Sequence, residues 1–254
     1  MKNREGEIGY TNIGTKLTII SYRNSKDITV RMDNGYIFDT KYYLFKNGEI
    51  KTPYDKTVCK IGYLGVGKYE ARKEGKFTIS YTHWKTMLNR CCSNYNKELR
   101  PTYKDCTVCE EWHNFQNFGK WFDDNYYQID NEIMCLDKDI LYKGNKIYSP
   151  ETCIFVPSRI NTLFVKSDKV RGNLPIGVGY HKQHNKYRSY CNTTDLNGNR
   201  NQKHLGYFKT IEEAFLAYKT FKEQYIKQVA DEYKNKIPKK LYDAMYNYKV
   251  EITD

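Results

Sequence analysis

One stretch of the sequence, residues 134–161, constrains the fold of this chain more than any other. Met134 to Ile140 alternates imperfectly between apolar and polar residues, and the Lys-Gly-Asn cluster at 143–145 is typical of a turn. The apolar run 154–156 predicts a return strand, which Pro157 ends, and the residues that follow predict a short helix. The stretch therefore predicts two strands and a helix, a unit too small to bury a stable core alone.

Two oxygen-bearing side chains fall at facing positions of this predicted unit. Asp137 lies on the first strand and Asn161 on the helix, so the two could meet across the unit. Carboxylate and amide oxygens suit Mg²⁺, which keeps most of its waters for a phosphate to displace. That chemistry belongs to a one-metal nuclease. The structural alternative is a solvated strand end beside a turn, with an exposed Asn on a surface helix.

The order of these elements resembles the ββα-metal fold of HNH endonucleases. The resemblance covers about residues 81–165 and is carried by Leu136-Asp137-Lys138, Tyr148-Ser149-Pro150, Cys153 and Asn161, with Cys109-Glu110-Glu111-Trp112 upstream as in phage proteins. It implies that Asp137 and Asn161 are the ligands of Mg²⁺ or Mn²⁺. It also places Lys138 where the family has Arg or His.

The residue after Asp137 departs from the commoner family pattern. HNH enzymes often have a histidine there as the general base, whereas a lysine is a cation at pH 7 unless its pKa is lowered. We therefore predict that Lys138 holds the phosphate and that a neighbour such as His113 or His83 assists proton transfer. Lys138, Asp137, Asn161 and His113 form the predicted catalytic set.

The cysteines allow two interpretations. Cys91, Cys109 and Cys153 occupy positions where the family carries cysteine, and Cys106 precedes Cys109 at the spacing common in zinc sites. A structural Zn²⁺ held by these four side chains is one interpretation. Buried free thiols are the other. With eight cysteines and no secretion signal, thiols or a metal are favoured over disulfides.

Charge and hydropathy favour a nucleic-acid partner. The net charge of +12 favours a polyanion, because each phosphate that Lys or Arg neutralises releases counterions. Double-stranded DNA is the predicted partner. No apolar run long enough to span a membrane occurs, so we predict no membrane association. The resemblance implies a phage-encoded protein that acts in the cytoplasm of its bacterial host.

Residues 1–54 predict a small β module. Lys16–Tyr22 and Asp27–Asp33 are strand-like runs, and Asn34-Gly35 is a strong hairpin signal. The module resembles the SH3-like barrels that precede the nuclease domain in some phage HNH proteins. It either packs on its neighbour or binds DNA through four basic residues, Lys16, Arg23, Lys26 and Arg31. Residues 55–80 are glycine-spaced and basic, and predict a linker or extended arm.

Residues 81–168 predict the nuclease domain. One helix is expected to start at Thr82 and another to run from Glu110 to Phe122. The second helix carries several aromatic residues, which we interpret as the core on which the small ββα unit packs. They are Trp112, Phe115, Phe118, Trp121 and Phe122.

Residues 172–254 predict a separate domain with a C-terminal docking segment. Strands are expected within 174–180, 186–190 and 205–208, and Thr210-Ile211-Glu212-Glu213 is a capping box that starts a helix. Through Gly177-Val178, Tyr187-Arg188 and Leu205-Gly206-Tyr207-Phe208, the domain resembles the plant ethylene-response-factor (AP-two) DNA-binding domain. That resemblance implies a sheet lying in the DNA major groove.

The candidate DNA contacts on this sheet are basic or aromatic. They are Tyr180, Lys182, Lys186, Arg188, Tyr190, Arg200 and Lys203. Alternating lysine and tyrosine can also be solvated surface, which is the structural alternative.

The sequence as a whole predicts an α+β protein that is an HNH-type DNA endonuclease, homing or free-standing and phage-like. The alternative is a catalytically inactive, HNH-derived DNA-binding regulatory protein. The missing histidine favours the alternative, whereas the presence of both Asp137 and Asn161 favours the enzyme.

Overall fold

The structure, a computed structural model, describes residues 3–92, 103–165, 173–195 and 198–254. It is an α+β protein whose chain divides into two units. Unit 1 comprises Met1–Lys104 and Val108–Trp121, and unit 2 comprises Asp105–Thr107 and Phe122–Asp254. The domain boundary that the sequence predicts at 168–172 lies outside the described residues. None of the described helices is long and apolar enough to cross a membrane.

Unit 1 begins with a four-stranded antiparallel sheet in the order β1-β2-β3-β4. The strands are β1 (Ile8–Tyr10), β2 (Lys16–Asn24), β3 (Asp27–Met32) and β4 (Ile37–Thr40). Buried residues alternate along the two central strands, as Leu17 and Ile19 do on β2, so one face of the sheet is apolar.

The predicted SH3-like barrel is wrong, because this sheet is open. Its outer strands have only 3 and 4 residues. They do not pair with each other in the described part of the chain. A short helix, α1 (Tyr42–Asn47), buries Phe45 in the same cluster as Leu17 and Val30. A helix over the apolar face removes the need for closure.

The rest of unit 1 is a helical core with a packed loop. The elements are β5 (Arg72–Lys73), β6 (Lys76–Phe77), α2 (Ile79–Cys92), a 3₁₀ helix (Glu110–His113) and α3 (Phe115–Asn125), whose residues from Phe122 onward belong to unit 2. Thus α2 starts three residues before the predicted Thr82, and the predicted second helix is interrupted at Asn114.

Four of the five aromatic residues interpreted as core are buried: Trp112, Phe115 and Phe118 fully, and Phe122 with 8% of its surface exposed, whereas Trp121 is half-buried. The Trp84 indole N–H donates to the Trp112 carbonyl at 2.7 Å.

The segment 55–80, predicted as a linker, packs on α3. Gln116 accepts from the Tyr69 backbone N–H at 3.0 Å through its side-chain oxygen, and its side-chain amide donates to the Tyr69 carbonyl at 2.9 Å. The same amide donates to the Leu64 carbonyl at 3.0 Å. One side chain therefore holds two points of the segment against the helix.

Unit 2 contains the two strands and the helix that the central stretch predicts. The first elements are β7 (Thr107–Val108), β8 (Met134–Asp137), β9 (Ile147–Tyr148), β10 (Ile154–Pro157) and α4 (Ser158–Leu163). Antiparallel pairing places Asp137 opposite Ile154. The helix α4 packs on both β8 and β10.

The C-terminal part of unit 2 is a three-stranded antiparallel sheet followed by a long helix. The elements are β11 (Val178–His181), β12 (Lys186–Thr194), β13 (Arg200–Phe208), α5 (Ile211–Glu232) and α6 (Lys239–Tyr246). The predicted capping box is present: the Thr210 hydroxyl accepts from the Glu213 N–H at 3.2 Å, and the Glu213 carboxylate accepts from the Thr210 N–H at 3.3 Å.

The long helix α5 joins the two segments predicted as separate domains. Its first half packs under the sheet through Ala214, Phe215 and Tyr218. Its second half shares a core with the strand–strand–helix unit, in which Ile226 and Val229 cluster with Ile154, Val156 and Ile160. The α4 residue Arg159 adds an ion pair of 2.6 Å to Glu232. One helix therefore contributes to the hydrophobic cores of both segments.

Candidate functional site

Asp137 closes the first strand by accepting two backbone hydrogen bonds. Its Oδ1 accepts from the N–H of Asp139 at 2.9 Å and from the N–H of Ile140 at 2.8 Å. These bonds form because an Asp at a strand end can satisfy the donors of the turn that follows it. The other oxygen, Oδ2, has no hydrogen-bond partner within the described residues. The two backbone hydrogen bonds to Oδ1 thus orient the carboxylate, and Oδ2 can bind a ligand.

The half-buried environment of Asp137 disfavours its charged form. Burial, and then the nearby carboxylate of Asp139, raise its pKa to about 6, against the two backbone hydrogen bonds and Lys138, which lower it. A divalent cation at Oδ2 would offset this cost, because its positive charge favours the carboxylate form.

Asn161 lies on α4, one residue after Ile160, which is fully buried in the core of unit 2. The Asn161 side chain is half-buried and has no hydrogen-bond partner in the described part of the chain. Because α4 packs on β8, the helix that carries Asn161 lies against the strand that ends in Asp137. Both predicted ligands are therefore on adjoining elements, and each has an oxygen that no described residue engages.

Lys138 is buried, with only 6% of its surface exposed. Its ammonium lies 3.2 Å from Oδ2 of Asp139 and 5.8 Å from the centre of the Tyr148 ring. Burial lowers the Lys138 pKa, but Asp139, Cys106 and Asp137 outweigh it and hold the pKa above its ordinary value. This direction favours the charged form of Lys138 at neutral pH and disfavours a role as general base.

The other two predicted participants belong to unit 1. His113 ends the 3₁₀ helix, and its backbone carbonyl accepts from the Tyr63 N–H at 2.9 Å. Burial, with a smaller effect of the Arg90 charge, lowers the pKa of His83 to about 4, so His83 is neutral at pH 7. Asp137, Lys138 and Asn161 all belong to unit 2.

Sequence reasoning missed Asn145, which organises the loop beside Lys138. Its side-chain amide donates to the carbonyl of Lys138 and to the carbonyl of Ile147, both at 2.7 Å. The Gly144-Asn145 pair indicates a turn, but a turn signal does not show that the Asn ties the end of β8 to β9.

The described residues do not support the predicted zinc site. Within the ranges that the structure describes, no group of three or more His, Cys, Asp or Glu is placed to hold a metal ion. Cys91, Cys106 and Cys153 are buried thiols that take part in no disulfide. Burial raises the pKa of Cys106, which favours the neutral thiol over the thiolate that zinc requires.

The helix α5 covers one face of the sheet of unit 2, and the opposite face is called the open face. Arg188 pairs with Gly179 and Tyr207, and Tyr190 pairs with His204, all on the open face. The Arg188 guanidinium lies 4.7 Å from the centre of the Tyr190 ring. Four of the predicted DNA contacts fall on this face by their strand pairing. They are Lys186, Arg188, Tyr190 and Arg200.

Two predicted DNA contacts lie on the side of the helix instead. Lys203 pairs with the buried Cys191, and its ammonium lies 5.3 Å from the centre of the Phe221 ring on α5. Tyr180 pairs with Tyr187, whose ring packs in the helix-facing core. A shift of register between Ser189 and Tyr190 places Lys203, which remains exposed, on the helix side of the sheet. Lys182 is exposed in the short 3₁₀ turn after β11.

The open face also carries a ring cluster that sequence reasoning missed. Three histidine rings lie around Tyr207, with centroid distances of 5.2 Å for His181, 5.0 Å for His184 and 4.7 Å for His204. His181 and His184 are three residues apart in the sequence, but His204 and Tyr207 come from another strand, so the cluster as a whole has no local signal. The open face therefore presents aromatic rings together with the positively charged guanidinium of Arg188.

No family model, curated protein or solved structure matches the chain.

Proposed function

We propose that this protein is an HNH-type DNA endonuclease, homing or free-standing and phage-like, which hydrolyses a phosphodiester of duplex DNA with one divalent metal ion. The observation that carries the proposal is the Asp137–Asn161 pair. Each side chain has an oxygen without a hydrogen-bond partner among the described residues, and the two lie on a strand and a helix that pack together in a strand–strand–helix unit. In this proposal the unit is a ββα-metal domain that acts in the cytoplasm of a bacterial host.

The residues at this position fit Mg²⁺ or Mn²⁺. Both donors are hard oxygens, and two protein ligands leave the remaining positions to water and phosphate, as Mg²⁺ prefers. When bound, the metal would polarise the scissile phosphate and stabilise the leaving 3′ oxygen. Asp137 contributes an oriented carboxylate, because the N–H groups of Asp139 and Ile140 hold its other oxygen in place.

Lys138 contributes positive charge to the proposed site. Its raised pKa keeps the ammonium charged beside the ligand strand, where a phosphate would be held electrostatically. The ammonium is already paired with Asp139, so contact with a phosphate requires it to leave that carboxylate. Asp139 therefore competes with DNA for Lys138.

In this proposal the open face of the sheet binds DNA, as the sheet of an AP-two type domain does. Arginine and lysine side chains satisfy phosphates and base edges, and the stacked Arg188–Tyr190 pair presents a planar donor. The net charge of +12 supports attraction to duplex DNA over a longer range.

Incubation of supercoiled plasmid with the full chain and Mg²⁺ or Mn²⁺ tests the proposal. We expect nicked or linear product from the wild type and none from Asp137→Ala or Asn161→Ala. Both variants should retain DNA affinity, because the ligands serve the transition state and not the grip. Asp124→Ala is a matched control, since Asp124 is an exposed residue of α3. Cleavage by either ligand variant at the wild-type rate would exclude the metal assignment.

A DNA-binding regulatory protein without nuclease activity is the second candidate. Two observations favour this candidate. No histidine follows Asp137 as a general base. Lys138, which takes that position, is buried beside Tyr148 and paired with Asp139. Such a protein would retard a duplex in a gel shift and leave plasmid intact with either metal. Cleavage that appears only in Lys138→His would identify the natural protein as a binder with an inactive site.

A further inference from the structure

Unit 2 contains an open apolar groove that none of the proposed metal ligands lines. It has a volume of about 820 Å³ and lies between β13 and α5. Leu205 and Phe208 of β13 line one wall, and Leu216, Ala217 and Phe221 of α5 line the other. Leu216 is 61% exposed, so this wall presents apolar surface to solvent.

The strand that forms this groove has a free edge. In the sheet order β11-β12-β13, β13 is the last strand, and within the described residues nothing pairs with its outer side. It is 9 residues long. A long free edge presents a row of unpaired N–H and C=O groups that can receive another strand. An edge strand beside a helix is the arrangement that binds extended peptides by strand addition.

The rim of the groove is basic. Lys186 and Lys209 line it, and the ammonium of Lys203 lies over the Phe221 ring. The one acidic lining residue, Glu213, is already engaged, because its carboxylate accepts from the N–H groups of Lys209 and Thr210. A partner with carboxylates beside apolar side chains would therefore complement both the walls and the rim.

We propose that the groove binds an extended peptide that alternates apolar and acidic residues, by adding it as a fourth strand to the free edge of β13. Apolar side chains fill the space between Leu205 and Leu216, and the acidic ones meet the lysines at the rim. A second copy of this chain fits less well, since a protein of net charge +12 repels its own basic edge. The proposal does not depend on nuclease activity.

Selection from random peptides of about twelve residues, a length that covers β13, tests the proposal with the full chain as bait. The wild type should enrich sequences that alternate apolar residues with Asp or Glu. Leu216→Glu should enrich none of them, because it places a charge in the apolar wall. Ile133→Glu is the matched control, since Ile133 is 74% exposed and does not line the groove. Absence of enrichment, or enrichment of basic peptides, overturns the proposal.

Fluorescence anisotropy with one enriched peptide then separates strand addition from simple charge attraction. N-methylation of the alternate amides that face β13 should weaken binding at least about tenfold, and methylation of the opposite set should change it little. Lys209→Glu should weaken binding, whereas Lys240→Glu, at an exposed lysine of α6, should not. Equal effects of both methylation patterns would overturn the proposal. So would a dimer that Leu216→Glu dissociates, because it would make a second copy the occupant.

Discussion

The substitution Asp137→Asn separates the charge of the candidate metal ligand from its structural role. Asparagine keeps an oxygen that can accept from the N–H groups of Asp139 and Ile140, so the turn after β8 should persist. It removes the carboxylate whose charged form the site disfavours. The variant should therefore fold normally and lose cleavage.

The magnitude follows from the pKa. Raising the pKa of Asp137 from 3.8 to about 6 lowers the unfolding free energy by at most about 3 kcal/mol at neutral pH. The folded pKa is raised, so the cost of the charge is absent below about pH 4 and develops as the pH rises to about 6. Without metal, Asp137→Asn should be more stable than the wild type above pH 6 and equal to it below pH 4.

Urea unfolding between pH 4 and 7.5 measures the stability difference between Asp137→Asn and the wild type. The same experiment in EDTA and then in Mg²⁺ measures how much the metal stabilises each protein. Saturation at one hundred times the dissociation constant stabilises a folded protein by about 2.7 kcal/mol, so Mg²⁺ should stabilise the wild type and leave Asp137→Asn unchanged. Asp124→Asn serves as the control for loss of one exposed carboxylate. Parallel pH curves for the wild type and Asp137→Asn would refute the buried-charge argument, and equal Mg²⁺ stabilisation would place the ligand elsewhere.

Three further predictions concern the lysines and the open face. Asp139→Asn frees the Lys138 ammonium and should increase cleavage or the affinity for DNA, measured side by side; a decrease in both would show that Asp139 itself serves the reaction. Arg188→Ala should weaken DNA binding and reduce the salt slope by about one in gel shifts at varied salt, and an unchanged slope would exclude a phosphate contact. Lys222→Met should raise the unfolding free energy by about 1 kcal/mol at pH 7, because Lys222 is buried without a hydrogen-bond or ion-pair partner in the described chain and burial lowers its pKa. This gain should shrink as the pH rises toward 10.5, and a loss of stability at pH 7 would contradict it.

Several elements could be predicted from the sequence because their signals are local. The Thr210–Glu213 capping box needs only four consecutive residues to start α5. The strands β2 and β3 follow from runs of β-branched and other strand-favouring residues, with the Asn34-Gly35 turn signal after them. The strand–strand–helix order around Asp137 and Asn161 follows from turn and proline signals in the same way.

The tertiary structure decided which way side chains point and what covers them. Counting in twos from Tyr207 places Lys203 on the open face, but the bulge at Ser189/Tyr190 reverses that alternation. The four-stranded sheet stays open because α1 covers its apolar face, and a helix of 6 residues gives only a weak signal in the sequence.

In the candidate site, too, the sequence determines the residue types and the tertiary structure determines their environment. The residue types and spacing of Asp137, Lys138 and Asn161 determine which chemistry is available, because oxygen ligands and a cation are properties of the side chains. The neighbouring Asp139 pairs with the Lys138 ammonium, but the rest of the environment comes from other elements: Tyr148 of β9 lies beside that ammonium, and the second half of α5 completes the core beneath α4. Burial depends on contacts between residues far apart in the chain, so the raised pKa of Asp137 and the charged state of Lys138 are properties of the fold.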